Sequence, residues 1–182
     1  VDGSDSVEFA VRSDEFVTDA VLNLFYSYSP ALLEQYSHIN VLVNDEVALS
    51  IPVPSEAAGK SLQKTIPLPA HLISEKNRIR LQLVGHYKLE CEDPLHSSLW
   101  ANVSNLSQLK VKTKQVALSN DLSLLPLPFY DEKDVRDLSL PFVFKGNVSN
   151  IALEAAGMVA SWFGHLNAPK PTSFPVNLQA DY

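Results

Sequence analysis

The chain has 182 residues, 46% of them hydrophobic and 19% charged, and a formal net charge of −7. That balance supports a packed core and argues against disorder, while an acidic chain with scattered Lys and Arg argues against nucleic acid or an anionic membrane as partner. No run approaches the roughly 20 apolar residues of a membrane-spanning helix, no leader is recognisable, and Val1 stands where a primary translation product has Met. The chain therefore reads as a mature or excised piece.

The first two thirds read as strands. Val7, Phe9 and Val11 alternate with polar residues, and Ala20, Leu22, Leu24, Tyr26 and Tyr28 continue that period of two. Ile39, Val41 and Val43 precede Asn44-Asp45, and Val47, Leu49 and Ile51 follow, which is a hairpin pattern. Asp45 tolerates positive φ less readily than the more usual Gly. Pro52 and Pro54 end the ladder, Ser55 to Ser61 is a polar loop, Thr65 to Leu68 is a short strand, and Pro69 to Ile73 makes one helical turn. Ile79, Leu81 and Leu83 form another strand, followed by Leu99 to Val103 and by Leu109, Val111 and Thr113. Lys110, Lys112 and Lys114 alternate with these last residues, as on a solvated strand face. Seven or eight short strands with turns between them predict an antiparallel β-sandwich.

The character changes near residue 125. Leu125-Pro-Leu-Pro-Phe129 reads as an extended connector. Leu138 to Phe144 is a nearly unbroken apolar run, the pattern of a strand buried on both faces. Ser149 or Asn150 caps a helix whose stripe would be Ile151, Ala155, Met158, Val159 and Trp162, with Gly164 or Asn167 at its end. Phe174 to Leu178 reads as the next strand. Strand, helix and strand make one βαβ unit, which cannot bury both sheet faces alone. The predicted division is a β-sandwich domain over 1–124 and the opening of an α/β domain over 125–182, with the rest of that domain absent.

The densest chemistry lies between Gly85 and Ser104, GHYKLECEDPLHSSLWANVS. It holds two His, one Cys, two Glu, one Asp, one Tyr and one Trp. Such a stretch between two strands predicts a long ordered loop, where folds usually carry function. His86, Cys91, Asp93 and His96 are zinc-ligand types, but their spacing matches no recurring zinc pattern, so no metal is expected. A Cys91–His96 nucleophile would need an electropositive setting, and this loop is acidic. Glu90, Glu92 and Asp93 could serve a glycoside hydrolase only if two of them faced each other across a sugar; carboxylates so close in sequence more often cap turns. Tyr87 and Trp100 bracket the loop, with Tyr26, Tyr28 and Tyr36 as further flat faces on which a pyranose could stack; the bland alternative for each is core packing. Trp162 reads as core. Cys91 has no second cysteine in the chain with which to close a disulfide. Phosphate-binding fingerprints and the Gly-x-Ser-x-Gly elbow are absent, so no cofactor and no catalytic residue is assigned.

Six segments together resemble one family: Phe25–Leu33 (FYSYSPALL), Ile39–Glu46 (INVLVNDE), Asn77–His86 (NRIRLQLVGH), Glu90–Val103 (ECEDPLHSSLWANV), Leu125–Asp131 (LPLPFYD) and Ala155–Gly164 (AAGMVASWFG). They are similar to the periplasmic regulatory B subunit of bacterial cellulose synthase, in the same order. The resemblance implies two repeats of a jelly-roll, carbohydrate-binding-like domain and a flavodoxin-like domain, then a C-terminal anchor in the inner membrane. This chain would be the first jelly roll and the start of the first flavodoxin-like domain. The implied partners are the membrane-embedded catalytic subunit, a glucosyltransferase activated by cyclic di-GMP, and the emerging β-1,4-glucan. The implied role is support and guidance rather than catalysis. No flavin is implied, since function lives in sites grafted on folds.

Trp100, Tyr87, His96 and Asp93 are the candidates for glucan contact, with loop architecture as the alternative role, above all for Asp93. Two rival functions stand beside this one. A stand-alone β-glucan-binding module would hold cello-oligosaccharide by itself. A glycoside hydrolase built on Glu90, Glu92 and Asp93 would turn over a β-glucan and lose that turnover in Glu92→Gln.

Overall fold

A computed structural model describes residues 2–179, which fall into two compact units: 2–11 with 15–115, and 12–14 with 116–179. The first unit holds eight strands: β1 (Asp2–Ala10), β2 (Glu15–Tyr28), β3 (His38–Val43), β4 (Glu46–Pro52), β5 (Leu62–Leu68), β6 (Lys76–Val84), β7 (Ala101–Val103) and β8 (Gln108–Gln115). One sheet runs β1-β6-β3-β4 and the other β5-β2-β7, with β8 also on β2; every pairing is antiparallel. The long β2 is the organising strand. Its residues 20–26 pair with β5 on one side, while on the other β8 covers 15–23 and β7 covers 26–28.

Alternation puts every second side chain of β2 on the inner face, and Ala20, Leu22, Leu24, Tyr26 and Tyr28 are all buried there. Ile39, Val41, Val43, Ile51, Ile66, Leu68 and Ile79 meet them in one core drawn from both sheets. Complete burial of each Leu, Ile or Val stabilises by about 1.5–3 kcal/mol. The sandwich follows from that gain, because neither sheet can hide its apolar face alone.

At the β3–β4 hairpin, Asn44 and Asp45 both take positive φ, 51° and 69°. Those values define the primed turn whose twist suits a two-residue hairpin. The Asn44 amide fastens the turn. Its Nδ2 donates to the Leu72 carbonyl at 2.7 Å, and its Oδ1 accepts the Arg78 N–H at 2.9 Å.

The second unit has β9 (Leu138–Ser139), β10 (Phe142–Lys145), α1 (Asn150–Asn167), β11 (Thr172–Ser173) and β12 (Val176–Gln179). β9 pairs with β11 and β10 with β12, both parallel, across the connecting helix. The single strand expected over 138–144 is instead two, separated by Pro141, and Pro175 interrupts the partner likewise; neither proline has an amide to donate. Burial on both faces is also corrected. Val143 on one face and Val176 and Leu178 on the other are exposed, so neither face of this two-stranded sheet is fully covered.

Ser149 caps α1 by accepting the Ala152 N–H, and the helix ends at Asn167. The stripe it covers is not the expected one. Ala152, Ala156, Ala160, Phe163 and Asn167 face inward at helical spacing, while Ile151, Met158 and Trp162 are exposed. Small residues let the helix lie close, and Trp162 instead packs edge-on against Phe163 at 4.7 Å.

Residues 125–129 are not extended: Leu127 N–H bonds the Leu124 carbonyl and Phe129 N–H the Pro126 carbonyl, so the segment turns twice. Arg12 lies buried in this unit. Its guanidinium bonds Asp14 at 2.7 and 2.8 Å, Asp134 at 3.1 Å and the Pro128 carbonyl at 2.7 Å.

Candidate functional site

The loop from Gly85 to Trp100 carries little regular structure, yet its backbone groups are anchored at both ends. The His86 carbonyl accepts the Leu33 N–H at 2.7 Å, and the His86 N–H donates to the buried Ser37 hydroxyl at 2.9 Å. At the far end the Trp100 carbonyl accepts the Ser29 N–H, and β7 joins β2 one residue later. Between these anchors one carboxylate organises the chain. Glu92 Oε1 accepts the Tyr87 N–H at 2.5 Å, and Oε2 lies 2.8 Å from His86 Nδ1. The Tyr87 N–H bond, reinforced by His86, holds the Glu92 carboxyl below its ordinary range although partial burial opposes the shift.

Asp93 extends the network. Its carboxylate accepts the Leu95 N–H at 3.0 Å, its own N–H donates to the Tyr87 hydroxyl at 3.1 Å, and its carbonyl accepts the His96 N–H. His96 Nδ1 accepts the Ser98 N–H, and the His96 carbonyl accepts the Leu99 N–H. The Tyr87 and His96 rings stack with centroids 4.3 Å apart and planes at 18°, with Lys88 Nζ 5.4 Å from the Tyr87 centroid. The structure thus gathers Tyr87, Asp93 and His96 into one cluster. Each ring presents one face to the other, so a ligand meets their remaining faces and edges. Trp100 lies apart from that cluster, where the loop rejoins the sheet. It is 39% exposed and lines an apolar cleft of about 520 Å³.

Of the other candidate aromatics, only Tyr36 keeps a surface face. Tyr26 and Tyr28 are core residues, the second donating its hydroxyl to the Pro54 carbonyl at 2.8 Å; Tyr36 is exposed. Of the carboxylates weighed for hydrolysis, Glu92 and Asp93 bond loop amides. Cys91 is exposed and holds positive φ, 51°, in the same loop. Among the described residues no three His, Cys, Asp or Glu side chains gather as metal ligands. The latch of Glu92 on His86 and Tyr87, and the part of Ser37, escaped the sequence reading; hydrogen bonds across an irregular loop leave no periodic signature. The cleft escaped it too, because it depends on how two sheets are spaced.

Comparison with known proteins places this geometry. Residues 1–115 match the family model described as "Cellulose synthase BcsB, first CBM domain". The chain belongs to the cellulose synthase BcsB family. Residues 121–181 match the first FD domain of BcsB. The chain is similar to the cyclic di-GMP-binding protein of Pseudomonas fluorescens SBW25, with 54% identity over 98% of this chain and 24% of that protein. It resembles the protein of the same name from Xanthomonas axonopodis pv. citri, with 48% identity over 99% of this chain and 23% of that one. A putative cellulose synthase of Komagataeibacter xylinus is 31% identical over 94% of this chain and 11% of its own length. The chain therefore spans under a quarter of the BcsB-family relatives it matches. Among the described residues no helix is long and apolar enough to cross a membrane.

Proposed function

We propose that this chain is the glucan-guiding part of a non-catalytic subunit of a bacterial cellulose synthase. The observation that carries the reading is the latched loop, which holds Tyr87, His96 and Trp100 at the surface of a domain matched to a carbohydrate-binding family model. The subunit works in the periplasm beside the membrane-embedded glucosyltransferase, tied to the inner membrane by an anchor outside this chain. Trp100 supplies a stacking face to the emerging β-1,4-glucan. Tyr87 and His96 offer edges and hydrogen-bonding atoms, and Asp93 shapes the loop. The β-sandwich domain is a jelly roll and the α/β part the start of a flavodoxin-like domain, with the domain boundary at 124/125 after the turn Leu122–Leu124. The relatives' name, cyclic di-GMP-binding protein, belongs to proteins about four times as long. On this reading, cyclic di-GMP acts at the glucosyltransferase.

The test is a titration with cellohexaose followed by amide chemical shifts. Shifts confined to Tyr87–Trp100, and lost in Trp100→Ala with the fold intact, support the reading. A loop unmoved up to the solubility limit of the sugar, well above the millimolar range, removes it.

A further inference from the structure

The apolar cleft shares only Trp100 with the reading above, and its construction indicates what fills it. Leu24, Ile79, Leu81, Leu83, Leu99 and Leu109 line it from both sheets, and Val7 and Val103 stand exposed at its rim. So much aliphatic surface is poorly suited to a sugar, whose hydroxyls would lose water without finding partners. Both long walls end in edge strands. Among the described residues β1 pairs only with β6, and β8 only with β2, so each leaves one row of amides and carbonyls without a neighbouring strand. Such a row is satisfied by a further strand, and a strand with an apolar residue at every second position also delivers a row of side chains into the gap. The two walls are not equivalent. On its inner side β1 presents Gly3 and Asp5 opposite Leu83 and Leu81 before Val7 and Phe9 follow, whereas β8 presents Leu109 and Val111, both packed on the core.

We infer that the cleft is a strand-acceptor site. An extended segment with alternating apolar residues, belonging to the same longer polypeptide but outside these 182 residues, adds to β8 and closes the sandwich. The source follows from length: the relatives are about four times as long as the matched stretch, so most of the polypeptide lies elsewhere. A segment tethered in the same chain docks at high effective concentration, with no separate association step. The inference shares Trp100 with the glucan-guiding reading, but its test on the β8 amides is read without sugar.

Hydrogen exchange, residue by residue, tests it in the 182-residue chain and in the longer polypeptide that contains it. The alternate β8 amides not bonded to β2 should exchange on the order of 100-fold more slowly in the longer polypeptide, while the inner amides of β3 and β6 stay alike in both. The dye 8-anilinonaphthalene-1-sulfonate should light up on the shorter chain and not on this domain of the longer one. Equal β8 exchange in both would overturn the inference, even with the dye excluded, because a cover that is not a strand leaves those amides open. Protection that depends on protein concentration would assign the cleft to a second copy. Protection that appears only with the catalytic subunit would assign it to that partner. Either result also overturns the inference.

Discussion

At Asp45 two effects of similar size oppose each other, and solution conditions decide between them. Its left-handed backbone costs a non-glycine residue about 1 kcal/mol, which Asp45→Gly would recover. Against that, its carboxylate bridges Arg78 and Arg80, each at 3.0 Å, and the side chain is 55% exposed. Exposed pairs of this kind are worth about 0.2–1 kcal/mol each. The substitution should therefore be nearly neutral at low ionic strength. It should become stabilising by about 1 kcal/mol near 1 M salt, where screening acts within about 3 Å. Urea unfolding at the two salt concentrations reads the difference; a salt-independent effect would remove the ion pairs from the account.

Asp134 is governed by pH instead. Burial alone would raise its pKa, but bonds from Arg136 and Arg12 hold it down to about 2. Because the folded value lies below the ordinary 3.8, its contribution is complete above about pH 4 and is lost as pH falls toward 2. Asp134→Asn should cost about 2 kcal/mol at neutral pH, and the gap to the unmodified chain should narrow steadily on acidification.

At the scale of elements, the loop depends on one residue more than its length suggests. Glu92→Gln keeps the size but removes the charge that Tyr87 N–H and His86 share. Exchange of the Tyr87 amide should then rise by about tenfold or more while β2 and β6 keep their protection. Acid should do the same, since a carboxyl held below its ordinary value maintains the latch above that range and releases it as pH falls through the lowered value. If core amides loosened together with Tyr87, the latch would be part of global stability rather than a local clasp.

Elements were legible in the sequence where one face is buried and the other wet. β2, β8 and the first half of β6 show period two for that reason, and Asn44-Asp45 and Ser149 mark a turn and a cap by local chemistry. Elsewhere the signal misled. In α1 hydrophobicity pointed to Met158 and Trp162, yet close approach selects Ala152, Ala156 and Ala160. Arg12 meets Asp134 across 122 positions, a pairing no local pattern announces. At the candidate site the residue types stood out, but the Tyr87–His96 stack depends on a loop path set by Glu92 and Ser37.

For the whole molecule, the question is how tightly such a surface should hold a glucan. One half-exposed indole covering about 100 Å² of sugar contributes about 2.5 kcal/mol. Two or three hydrogen bonds from the Tyr87–His96 cluster add about 1 kcal/mol each. Association and ordering cost at least about 4 kcal/mol, so little remains. The isolated chain should bind cellohexaose with a Kd in the millimolar range or weaker, about −4 kcal/mol or less. Because the sugar is neutral, the net charge of −7 should leave that affinity insensitive to salt. Calorimetry or the shift titration can measure both. A micromolar Kd would require about 7 kcal/mol more than the visible groups supply, and would favour a self-sufficient binding module over a guide. A guide gains from weakness, because a polymer that advances by one sugar at a time must leave each contact as readily as it entered.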